Sequence, residues 1–114
     1  MAWRVEFAAE AERDLGLIFD YFLKSYWSFG ESLDEALAHA EARVREVRRA
    51  THRLGTAPHR GERHDGLLEG LRPVTMGRAI YWFDVDESVE RVRVLAVFWG
   101  GQEHVRRMLA RLLG

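Results

Sequence analysis

The sequence predicts an α+β fold in which helices gather on one face of a small antiparallel sheet. Three observations carry the prediction: an opening strand of alternating apolar residues, two consecutive stretches with helical spacing, and a run of strand-like segments before a last amphipathic stretch. At 114 residues the chain is long enough for one domain, 1–114, and too short for two ordinary ones.

In the opening segment Trp3, Val5 and Phe7 alternate with Arg4 and Glu6, the period of a strand with one buried face. From about Ala8, apolar residues recur at Leu15, Ile18, Phe19, Phe22 and Tyr26, and acids crowd the first turns, where the helix dipole favours them. Gly16 is dissonant there and suggests either close packing or simple tolerance; the helix should end near Phe29-Gly30. Ser32 and Glu35 have the spacing of a capping box for a second helix, whose apolar stripe runs through Leu33, Leu37, Ala40, Val44, Val47 and Leu54. Gly55 suits the left-handed position after its last turn, and Pro58 prevents it from resuming. Residues 55–70 are rich in glycine and charge and predict a loop. The segment 71–76 is strand-like, but Pro73 cannot donate a ladder hydrogen bond and therefore belongs on an edge or at a bulge. The segment 79–85 is apolar on both faces and predicts a central strand. After a turn at Asp86-Glu87-Ser88, a last strand places Val92, Val94, Ala96 and Phe98 on one face. Gly100-Gly101 reads as a sharp turn into a short helix that packs through Val105, Met108, Leu109 and Leu112 and bears Arg106, Arg107 and Arg111.

Composition excludes several functions. With 47% hydrophobic and 31% charged residues the chain reads as soluble and globular. No apolar run approaches the roughly 20 residues of a membrane span, and no secretory signal pattern opens it, so a cytoplasmic location without membrane contact is expected. The absence of cysteine removes disulfides, thiolate metal sites and cysteine nucleophiles. The net charge of -1 hides an uneven distribution: residues 1–46 carry ten acids and five bases, residues 47–114 eight acids and twelve bases. His59, His64 and Asp65 are metal-ligating types, but a glycine-bearing loop does not pre-organise them, so no metal and no cofactor is expected.

The stretches 3–15, 58–61, 70–74, 81–87 and 92–109, in that order and spacing, resemble the RelE/ParE toxin superfamily over nearly the whole chain. The resemblance implies a two-helix hairpin packed on a small curved antiparallel sheet, and a cognate antitoxin that wraps the toxin in a hetero-oligomer. It also implies one of two activities on one fold: ParE-like inhibition of DNA gyrase, or RelE-like cleavage of mRNA on the ribosome. RelE-like nucleases tend to be strongly basic and to carry a functional tyrosine near the C-terminus. This chain is slightly acidic and has no tyrosine after Tyr81. The ParE-like activity is therefore expected, with an inert antitoxin-binding homologue as a further alternative.

Should the chain cut RNA, a base must take the 2'-hydroxyl proton, cations must hold the phosphate and an acid must protonate the leaving oxygen. Arg72, Arg78 and His104 are the candidates for that chemistry. Arg60, Arg63, His64, Tyr81, Arg106 and Arg107 are candidate phosphate or partner contacts, although a tyrosine on a central strand is more often core. Trp27 and Phe29 are candidate anchors for a protein partner, because aromatic residues bury large area with few rotors to freeze; with Tyr26 they equally suit the end of the hairpin core.

Overall fold

The computed structural model describes residues 2–59, 61–100 and 103–114. Its elements run β1 (Arg4–Phe7), α1 (Ala9–Ser28), α2 (Leu33–Ala50), α3 (His52–Thr56), β2 (Arg72–Met76), β3 (Ala79–Asp86), β4 (Arg91–Trp99) and α4 (His104–Leu113), with a single 3-10 turn, Glu87–Val89, between β3 and β4. Among the described residues, no helix is long and apolar enough to cross a membrane.

The hairpin follows its sequence signals. In α1 the buried positions Ala11, Asp14, Leu15, Ile18 and Phe22 fall on one stripe at steps of three and four, facing the sheet and α2. The capping box of α2 is formed: the Glu35 N–H donates to Ser32 Oγ and the Ser32 N–H donates to a Glu35 carboxylate oxygen, both at 3.2 Å. Gly16 faces open space, so tolerance explains it. Leu33, at the start of the expected α2 stripe, is exposed, and the stripe is carried by Ala36, Ala40 and Val47. Buried Thr51 ends α2 by donating its hydroxyl to the Arg48 carbonyl at 2.6 Å, and a separate short helix follows. Gly55 lies inside that helix and is not its left-handed terminator. Its role is close approach: a Cβ there would sit 2.6 Å from the Trp3 carbonyl oxygen, and the Trp3 N–H donates to the Gly55 carbonyl at 2.8 Å.

The sheet has the order β1-β4-β3-β2. Strands β2, β3 and β4 form the expected antiparallel meander, with Pro73 on the edge strand and β3 inside. The sheet as a whole is mixed, because β1 lies parallel to β4, pairing Val5 with Val92 and Phe7 with Val94. A four-residue alternating segment looks the same in either polarity, and only the path of the hairpin over the sheet sets its direction.

The expected single face of β4 is divided. Trp82 pairs with Ala96 and Phe83 with Val94, so Leu95 is an extra residue and the side-chain alternation reverses there. Val92, Val94 and Val97 pack with Tyr81 and Phe83 under the hairpin. Ala96 and Phe98 instead join Leu71, Ile80, Trp82 and Met108 in a second cluster on the opposite face, beneath α4. Of the four apolar positions expected to dock α4, only Met108 is buried; Val105, Leu109 and Leu112 stay exposed. Polar contacts complete the docking. Arg111 donates to both carboxylate oxygens of buried Asp14 at 2.8 and 2.6 Å, and Asp14 also accepts the Val97 N–H at 2.9 Å. Arg107 lies over the Phe98 ring at 4.2 Å.

Candidate functional site

On the α4 face the alternation of β3 brings Trp82 up at the centre, opposite small Ala96, whose orientation the β4 bulge sets. Two histidines from distant segments flank the indole. The His64 ring lies 5.3 Å from the Trp82 ring in an edge arrangement, and the His104 ring lies 5.4 Å away, tilted. His64 is placed by its own backbone: its N–H donates to the Leu71 carbonyl at 2.7 Å, and its carbonyl accepts the Leu67 N–H at 3.0 Å. Next to it Asp65 accepts the Gly70 N–H at 2.8 Å, which, with Arg63 assisting, holds the carboxyl below its ordinary range. His104 is the first residue of α4, and buried Met108 one turn on fixes that end of the helix against the sheet.

The cluster has unused hydrogen-bonding capacity. Trp82 Nε1 and His104 Nδ1 are both buried and lack a partner among the described residues. Burial, and secondarily the neighbouring His64, push the His104 pKa below its ordinary value of 6.5. The imidazole therefore stays neutral near pH 7 and offers a nitrogen that can accept a proton.

The arginines expected beside His104 are elsewhere. Arg72 shares its sheet face with Phe83, under the hairpin, and donates to the carbonyls of His59 and Gly61 at 3.2 and 3.0 Å, tying the edge strand to the preceding loop. Arg78 stands in the β2–β3 turn with its guanidinium 6.0 Å from the Trp99 ring, also on the hairpin side. Neither guanidinium packs on the Trp82 ring that holds His104, and Arg72 at the sheet edge acts electrostatically on Asp65. Tyr81 is core: it is 1% exposed, its hydroxyl donates to the Val47 carbonyl at 2.7 Å, and burial, against the opposing influence of Arg53, pushes its pKa up to about 12. It is not available to a phosphate or a partner.

The remaining candidates lie at the surface. Arg63 pairs with Asp65 at 3.1 Å, and exposed Arg106 stands 3.6 Å from Glu103. Arg107 is held against Phe98. Arg60, Gly101 and Gln102 lie outside the described residues. His59 turns away from His64 and Asp65 to contact Glu87 at 2.8 Å. Trp27 and Phe29 are exposed, while Tyr26 stacks against Phe22 in the core.

Two features escaped the sequence. One is the Asp14–Arg111 latch, whose partners stand 97 positions apart. The other is a groove of about 300 Å³ on the hairpin side, lined by Arg43, Arg53 and Arg78 beside Trp99. The spacing of Arg43, Glu46, Val47, Ala50 and Arg53 at threes and fours marks one helical face, and that was the available signal for it.

No protein-family model matches the sequence, and no curated protein matches it. Among solved structures the chain is similar to a chromosomal ParDE toxin-antitoxin system from P. aeruginosa, with TM-score 0.65, 15% identity and coverage of 86% of this chain and 96% of that one. It is similar to the toxin-antitoxin complex RelBE2 from Mycobacterium tuberculosis, with TM-score 0.53, 19% identity and coverage of 87% and 99%. It is also similar to a mutant of the E. coli toxin RelE in the free state, with TM-score 0.59, 9% identity and coverage of 97% of both chains. At these identities the likeness is one of fold.

Proposed function

Starting from the fold shared with the RelE and ParE toxins, we propose that this chain is the toxin of a type II toxin-antitoxin pair, neutralised in the cytoplasm by a cognate antitoxin. We propose further that it acts in the ParE-like manner, arresting growth by binding DNA gyrase and not by cutting RNA. The observation that carries this choice is that Arg72 is already engaged by two loop carbonyls and Arg78 lies beside Trp99 on the hairpin side, while His104 packs on Trp82. A nuclease needs its cations and its proton carrier around the same phosphate. A net charge of -1 also gives little general attraction to ribosomal RNA. For the partner, exposed Trp27 and Phe29 at the tip of the hairpin are suitable anchors.

One observation favours the RelE-like alternative. His64 and His104 meet over Trp82, and a neutral His104 beside a second histidine is a suitable pair for taking one proton and returning another. Purified protein separates the two activities. The ParE-like reading expects loss of gyrase supercoiling, with translated messages left intact. Ribosome-dependent cleavage of messages, abolished by His104→Ala, would replace it with the alternative.

A further inference from the structure

The function proposed above assigns no role to the groove on the hairpin side. We infer that it is a docking site for an acidic peptide segment of a partner protein, with a carboxylate set among Arg43, Arg53 and Arg78 and an adjoining apolar side chain on the floor beside Trp99. The groove opens between the second half of α2 and the β2–β3 turn, and Val47, Ala50 and Met76 contribute apolar lining.

The three cations line one groove. The Arg43 guanidinium lies 4.9 Å from the Phe22 ring and 6.0 Å from Trp99, and that of Arg78 lies 6.0 Å from Trp99. Arg53 is near enough to Tyr81 to counter the effect of burial on its hydroxyl. Among the described residues none of the three makes an ion pair, whereas Arg48, Arg91, Arg93 and Arg111 each do. Glu46 is the one carboxylate of the lining, so three guanidiniums outweigh it. Guanidinium planes stacked on aromatic rings are held ready for a forked hydrogen bond to a carboxylate.

Charge and shape together favour a peptide over a nucleic acid. A strand of phosphates requires cations tracked along its length, and its bases require exposed aromatic faces. Here the cations line a compact groove and not an extended track, and apolar Val47, Ala50 and Met76 flank a half-buried tryptophan. An acid next to an apolar side chain satisfies both halves of the groove.

Fluorescence anisotropy on the whole protein tests the inference. The probe is a labelled peptide of alternating glutamate and leucine, compared with its lysine counterpart and with an oligothymidylate of equal length. The glutamate peptide should bind, and binding should weaken as salt rises from about 0.05 to about 0.5 M. The double variant Arg43→Gln with Arg78→Gln should weaken it about tenfold, while Arg13→Gln on the exposed side of α1 leaves it within about twofold. On unaltered protein, the Trp99 indole N–H resonance, identified with Trp99→Phe, should shift during the titration. Absence of binding up to about 1 mM, tighter binding of the oligothymidylate, undiminished binding by the double variant, or a Trp99 resonance that stays in place while the peptide binds would each overturn the inference. The gyrase assay plays no part in the outcome, so this docking site and the toxin reading stand or fall separately.

Discussion

Replacing Arg111 with alanine removes one side of the contact that joins the last helix to the first. Asp14, with its side chain 5% exposed, would keep only the Val97 N–H, because the two guanidinium bonds at 2.6 and 2.8 Å disappear. Stripping one partner from a buried ion pair costs about 3–5 kcal/mol, since the carboxylate stays desolvated. Arg111 is itself 23% exposed, so water can reach part of the vacated space and the low end applies, about 3 kcal/mol. Loss of its stacking on Phe98, at 5.3 Å, adds less than about 1 kcal/mol. For a domain of this size, about 3 kcal/mol corresponds to a fall in Tm of roughly 12 °C. Urea titration followed by far-UV circular dichroism measures the first quantity and a thermal melt the second. Adding Asp14→Asn should recover part of the loss, because a neutral amide is less costly to leave half-satisfied. A change below about 1 kcal/mol in Arg111→Ala, or further loss on adding Asp14→Asn, would refute the latch.

Gly16→Ala should stabilise the protein by about 0.5–1 kcal/mol, because the added methyl meets open space in a helix interior. Gly55→Ala should do the opposite by about 1–3 kcal/mol, since its methyl would press on the Trp3 carbonyl; paired urea titrations check both signs. His104 binds its proton more weakly folded than unfolded, so the unfolded chain takes up more protons as pH falls through 6.5 and stability drops below that point. Midpoints measured at about pH 7.5 and 5.5 should therefore differ more in the natural protein than in His104→Gln, and equal differences would remove His104 as the cause. Tyr81→Phe leaves a Val47 carbonyl without its hydroxyl partner and should cost about 1 kcal/mol, with gyrase inhibition unchanged.

Features encoded within one turn or one strand were legible in the sequence. The Ser32–Glu35 box, the apolar stripe of α1 and the edge position of Pro73 each depend on neighbours within a few residues. What escaped depends on distant segments meeting. The Leu95 bulge needs the pairing with Trp82 and Phe83 to be visible, and without it Ala96 and Phe98 are assigned to the wrong side. The candidate site suffered accordingly. Once β4 changes sides, His104 sits with Trp82 and His64, while Arg72 is engaged by loop carbonyls and Arg78 lies beside Trp99. Gly55 illustrates the same limit: its neighbour Trp3 lies at the other end of the first half of the chain, so its small size looked like helix-end chemistry.

The single extra residue at Leu95 makes β4 a phase shifter between two surfaces. Residues before it answer to the hairpin, and those after it alternate in the reverse sense. Were Leu95 to enter the ladder as a regularly paired residue, Phe98 would turn toward the helices and Val97 and Trp99 would turn out toward α4, whereas deleting it leaves all three on their present faces. The unpaired state of this one residue therefore decides the contents of both surfaces, while a change of length in the loop after Gly61 would only alter a connection. The groove beside Trp99 and the histidine pair over Trp82 share one hinge of register, and neither can be repositioned along β4 without displacing the other.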